Sequence, residues 1–177
     1  MRIAALDLSS KTGWAVHDGK RHAPLLGTKQ LVGWGYDTGS MLEHWRLWLG
    51  EFFKAHDPEL VAIEAWMLPQ HGDGRTILKQ AGLLGFTEWC CKISGRKVEI
   101  VYAASWRKTF LGSAHGKTDE LKQKSLEACR ALGWNPPDHN AADAAGVLHH
   151  AIDAIAKVQS PWRDAHLFYI QSGKPKR

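Results

Sequence analysis

Two short apolar runs that each stop at an acid constrain this chain more than any other feature. Arg2-Ile-Ala-Ala-Leu-Asp7 opens the sequence, and Leu60-Val-Ala-Ile-Glu64 follows Pro58 further on. Unbroken apolar runs of strand length, without polar alternation, mark strands covered on both faces. Helical patterns lie between and after them. Met41, Leu42, Trp45, Trp48, Leu49, Phe52 and Phe53 recur at three-to-four spacing, while Ile77 to Ile93, Thr118 to Leu132 and Ala141 to Lys157 read as three further helices. Around the first run, Ser-Ser-Lys-Thr-Gly reads as a turn into a returning strand, Trp14 to His17, with an irregular third strand from Leu25 to Trp34. Lys97 to Tyr102 reads as the last strand. Strands alternating with helices predict an α/β fold.

At 177 residues the chain fits a single core, and 44% hydrophobic with 23% charged residues is the balance of a globular protein. The expected division is one domain over 1–158 and a loosely held tail over 159–177, where Pro161, Gly173, Pro175 and the closing basic residues fall. No run is long enough to span a membrane and the N-terminus does not read as a signal sequence, so the expected location is the cytoplasm. Cys90, Cys91 and Cys129 show no Cys-x-x-Cys pairing; buried thiols are expected, with Cys90 and Cys91 either in the core or at a subunit contact.

A formal charge of +5 favours an anionic partner without naming one. The excess concentrates between Arg107 and Arg130, where Arg107, Lys108, Lys117, Lys122, Lys124 and Arg130 face only Asp119, Glu120 and Glu127. Nine tryptophans suit core packing and base stacking alike, so they do not choose between those roles.

If the two acid-terminated strands are parallel neighbours, Asp7 and Glu64 emerge at the carboxyl edge of the sheet, where α/β proteins bind ligands. Asp143, early in the last helix, can point over the same edge. Crowded carboxylates repel, a state that hard divalent cations relieve, and such a triad implies metal-assisted attack on phosphate. Each acid also has a simpler reading. Asp7 caps the Ser9-Ser10 turn, Glu64 ends its strand at solvent, and Asp143 completes a capping box opened by Asn140. Two covered strands both ending in acids favour the joint reading.

The phrases LDLSSKTGWAV, VAIEAW and HNAADAAGVLHHA, in this order and spacing, resemble the three acidic motifs of the RuvC-like Holliday junction resolvases of the ribonuclease H-like superfamily. The resemblance runs from about residue 1 to 155, and the stretches MLPQHGDGRTILKQAGLLG, YAASWRK and GSAHGKTDEL also fit in order and length. It implies a five-stranded mixed sheet, three antiparallel strands followed by two parallel ones, with helices on both faces. It also implies a metal-dependent endonuclease of branched DNA, acting as a homodimer on Holliday junctions, flaps or forks with two Mg²⁺ ions or Mn²⁺ in their place. Asp7, Glu64 and Asp143 match the metal-binding acids.

One position departs from that pattern: Asn140 stands where the family usually carries an acid or a histidine. The amide oxygen of Asn140 can ligate a hard cation but carries no charge, so either Asp138 or His139 substitutes from the adjoining turn or the second metal is held more weakly. His139 alternatively serves as a catalytic base, or is merely exposed beside a helix cap. Arg107, Lys108 and Lys117 are candidate phosphate contacts, joined by Lys11 and Arg75, each with a solvated-surface alternative. Met67 and Leu68 are candidate apolar wedges between bases at a branch point, or pack beneath their loop. Two other classes compete: a DNA-binding module with weak or no catalysis, and a phosphate-binding domain of the actin-like or sugar-kinase type, which the Asp-x-Ser opening also resembles.

Overall fold

The computed structural model describes residues 1–31, 37–65, 73–158 and 162–172. Five strands, β1 (Ile3–Asp7), β2 (Lys11–His17), β3 (Leu25–Gln30), β4 (Leu60–Glu64) and β5 (Lys97–Val101), form one sheet in the order β3-β2-β1-β4-β5. The β1–β2 and β2–β3 pairs are antiparallel, and the β1–β4 and β4–β5 pairs are parallel. This is the mixed sheet the sequence implies.

Strand alternation divides the core into two layers. Ile3 and Ala5 of β1, with Leu60 and Ala62 of β4, face helices α3 (Ala103–Leu111), α4 (Thr118–Ala131) and α5 (His139–His150). Ala4, Leu6, Val61 and Ile63 point the other way, onto Trp45, Leu49 and Phe53 of α1 (Thr38–His56) and Leu83 and Cys91 of α2 (Gly74–Ile93). α1 starts on an Asp37 cap that accepts from the Ser40 N–H at 2.7 Å, and it stops at Asp57, which is left-handed ahead of Pro58. Trp45 donates through Nε1 to Thr87 Oγ1 at 2.8 Å, joining α1 to α2 by a buried hydrogen bond.

α5 crosses β1 and β2 on a face of small residues. Ala141, Ala142, Ala144 and Ala145 are fully buried, and Gly146 leaves room for the Trp106 ring, which a Cβ there would overlap. All three cysteines are buried and free, as expected.

The structure departs from the sequence reading in four places. Lys11, Thr12 and Gly13 belong to β2 and not to the turn. Ala103 to Leu111, to which the sequence pattern assigns no element, forms the nine-residue helix α3 directly after β5. α5 begins at His139 and loosens after His150 into a π-helical stretch, Ala151–Ala156. Lastly, residues expected in a loose tail form α6 (Arg163–Ser172), anchored by Trp162 at 1% exposure and by buried His166. Packing against the α3–α5 layer gives this segment an apolar anchor that its flanking Pro and Gly residues obscure in the sequence. The expected strand residues 32–34 lie outside the described residues. No helix among the described residues is long and apolar enough to cross a membrane.

Candidate active site at the carboxyl edge of the sheet

β1 and β4 are adjacent and parallel, so Asp7 and Glu64 leave the sheet at the same edge. The turn after Asp7 does not use its carboxylate. Thr12 donates from its hydroxyl to the Ser9 carbonyl at 2.9 Å, and Ser9 donates to the Lys11 carbonyl at 2.8 Å, closing the turn without the acid. Asp7 is therefore available to the edge.

Gly13 brings the third acid near. It pairs with Asp7 across the β1–β2 ladder, and a Cβ at this position would overlap the backbone carbonyl of Asn140. The first turn of α5 thus rests on bare β2 backbone beside Asp7. Asp143 follows on the inner side of the helix at 8% exposure. The helix cap is Asp138, whose carboxylate accepts from the Ala141 N–H at 3.1 Å, so the capping-box reading of Asn140 and Asp143 does not hold.

Electrostatics tie these groups together. Burial, then the charges of Glu64 and Asp143, hold Asp7 well above the ordinary aspartate range. Burial and Asp143 push Glu64 up to about 6, partly offset by the Trp106 indole, by Arg107 and by neighbouring Asp7. The Trp106 N–H faces the carboxylate without forming a hydrogen bond of full geometry. Burial also raises Asp143, against the Ser125 hydroxyl, Arg107, His139 and Lys122. Arg107 acts on all three acids. An open cavity of about 340 Å³ lies here, with Asp7, Ser9, Glu64, Gln80, Ala103 and Arg107 in its lining.

Lys11 Nζ sits 2.6 Å from Asp138, so both side chains are committed to an ion pair that also caps α5. Lys108 and Arg75 are exposed, and so is Lys117, whose backbone N–H donates to Glu120 at 3.4 Å as α4 begins. Met67 and Leu68 lie outside the described residues. Sequence reading did not single out Gly13, Gln80, Trp106, Ser125 or Lys122 for this site. Only Gly13 carried a signal, as the glycine inside the strand that follows the first acid.

The donor set is chemically suited to a hard divalent cation, since it is all oxygen and its charges repel when left alone. Among the described residues, however, no three His, Cys, Asp or Glu side chains converge into a ready-made metal cluster.

The sheet order and the crossing of α5 define a ribonuclease H-like fold. Among solved structures, the chain is similar to Thermus thermophilus RuvC, at 20% identity and TM-score 0.66 over 89% of this chain and 98% of that one. It is also similar to T. thermophilus RuvC in complex with a Holliday junction substrate, at 19% identity and TM-score 0.68 over 89% and 96%. The yeast mitochondrial Holliday junction resolvase Ydc2 matches at 10% identity and TM-score 0.58 over 96% and 82%. No family model and no curated protein sequence matches.

Proposed function

We propose that this protein is a divalent-metal-dependent, structure-selective endonuclease that hydrolyses phosphodiesters in branched DNA such as Holliday junctions. The observation that carries this reading is the position of Asp7 and Glu64 at the ends of adjacent parallel strands, with the buried Asp143 of α5 near enough to act electrostatically on both. The fold shared with RuvC supports it.

Asp7, Glu64 and Asp143 hold the magnesium or manganese ions. When bound, these ions supply Lewis-acid activation of the attacking water and of the leaving oxygen. Arg107 draws the scissile phosphate to the edge, where its charge already balances the acids. His139, close enough to influence Asp143, orients the water or takes up its proton. Asn140 contributes at most a neutral oxygen. Lys108, Lys117 and Arg75 bind the DNA backbone further out, and Met67 and Leu68 wedge between bases at the branch.

Two symmetric nicks across a four-way junction require two sites related by a two-fold axis, so the working form is a homodimer. Exposed Leu78, Trp89 and Ile93 on α2 offer apolar area for the contact.

The test is cleavage of labelled four-way junction, flap, linear duplex and RNA/DNA hybrid in magnesium, manganese or EDTA. Symmetric nicking of the junction that EDTA abolishes is expected. Equal cutting of duplex points to a general nuclease, and cutting of the hybrid alone to a ribonuclease H. Junction binding without cutting in either metal overturns the enzyme reading.

A further inference from the structure

We propose that Gln80 is a positioning residue of the acid site, its amide oxygen accepting a hydrogen bond from the water carried by a divalent cation on Asp7 and Glu64. This rests on the metal-dependent reading above.

Gln80 lies on α2, which is remote in sequence from all three acids, yet it lines the same cavity as Asp7 and Glu64. Its Oε1 is buried and accepts no hydrogen bond among the described residues. A buried acceptor without a partner is costly, and a ligand that donates to it removes that cost.

The neighbours narrow what that ligand brings. Ionised Asp7 and Glu64 are acceptors only, and cannot satisfy another acceptor. Among the described lining residues, the Ser9 hydroxyl is already spent on the Lys11 carbonyl, and the buried Nε of Arg107 is likewise without a partner, so Arg107 and Gln80 do not satisfy each other. Two residues lining one cavity therefore carry orphaned atoms of opposite polarity, a donor on Arg107 and an acceptor on Gln80. A phosphate oxygen suits the Arg107 donor but supplies nothing to Gln80. Water polarised by a cation supplies O–H donors among carboxylates, and magnesium retains such waters when it binds. Groups that hold a metal's surroundings in this way typically change affinity or activity by 10–100-fold when removed.

The test is a calorimetric titration of Mn²⁺ into DNA-free protein for the wild type, Gln80→Met and Gln80→Glu, with Tm measured in EDTA. Met keeps the volume and removes the acceptor; Glu keeps the acceptor and adds charge. Expected in EDTA are a Tm at or above the wild type for Gln80→Met, which loses an unpaired buried acceptor, and at or below it for Gln80→Glu, which adds a fourth acid; expected in the titration are a half-saturating Mn²⁺ concentration raised roughly tenfold by Gln80→Met and one lowered by Gln80→Glu. Three coincident curves overturn the role of Gln80 and leave the metal reading standing. Weakening by Gln80→Glu equal to that of Gln80→Met also overturns it, since the amide must then act as a donor to the carboxylates. No Mn²⁺ binding by the wild type overturns both readings. If Gln80→Met fails to fold, the near-isosteric Gln80→Glu decides alone: tighter binding supports the role, and unchanged or weaker binding ends it.

Discussion

Asp143 near the start of α5 and His149 near its end are both ionisable groups taken out of water, yet burial acts on them in opposite senses. At the acid edge it holds three carboxyls above their ordinary range, and they repel one another as they ionise. At the far end, His149 is 1% exposed, its ring centroid lies 3.9 Å from that of His166, and burial with the neighbouring His166 and His150 pushes it down to about 3. Asp153 lies 3.5 Å from His149 Nε2, but a neutral imidazole makes this no ion pair at neutral pH. A buried histidine resolves its conflict by giving up a proton. Buried carboxylates can only take one up, or recruit a cation, and the second course is the one with chemical use.

The strongest way to break this contrast is to remove the acid charges. Asp7→Asn, Glu64→Gln and Asp143→Asn should each lower junction cleavage by roughly three orders of magnitude, about 4 kcal/mol in the barrier. In EDTA at pH 7 the same variants should be more stable than the wild type by about 1–2 kcal/mol, or a few degrees in Tm, because repulsion is relieved. Cutting near the wild-type rate by any two of them removes the three-acid site.

Gly13→Ala attacks the same edge through the backbone. The new Cβ displaces the start of α5, so a stability loss of about 2 kcal/mol or more, read by urea denaturation, should accompany loss of cleavage. Retained stability and activity would mean that α5 can shift without disturbing Asp143.

Titration sharpens the comparison, since the two ends have opposite slopes. Glu64, raised from 4.5 to about 6, binds more protons folded than unfolded between those values, so its contribution to stability falls as pH rises through that window. His149 lies lower folded than unfolded, so its contribution is complete above 6.5 and is lost as pH falls toward 3. Several kcal/mol are at stake at the histidine end, at about 1.4 kcal/mol per pKa unit. His149→Phe should flatten the acid limb of a Tm–pH profile measured in EDTA, and Glu64→Gln should flatten the opposing fall between pH 4.5 and 6. Unchanged limbs would assign the pH dependence to other groups.

The smallest expected effect concerns Asp138. Its carboxylate already caps α5 and pairs with Lys11, so Asp138→Ala should cost about 1 kcal/mol of stability and leave the half-saturating magnesium concentration for cleavage unchanged. A large rise in that concentration would restore Asp138 as a ligand.

What was legible in the sequence was whatever depends on local pattern. The runs ending at Asp7 and Glu64 are covered on both faces, so their hydrophobicity alone announces them, and the periodic segments of α1 and α4 do the same. What stayed hidden depends on approach between distant elements. Arg107 and Lys108 are neighbours with like charge, yet only Arg107 acts on the acids, because α3 turns it inward beside buried Trp106. Gln80 looks like any polar residue on a helix until α2 is laid along the sheet. The anchoring of α6 by Trp162 and His166 likewise needs the aromatic surroundings of Phe110 and Trp134 to exist first.

The meeting of Gly13 with Asn140 has a consequence for how the site can change over generations. α5 touches the sheet there through the main chain of Asn140, so position 13 admits no side chain while the docking of residue 140 makes no demand on its own. Helix placement and side-chain identity at 140 are thereby separated, and a single base change to aspartate can alter the charge of the edge without rebuilding the scaffold around it. Position 13 is the fixed pivot of the site, and position 140 is where its chemistry is free to drift.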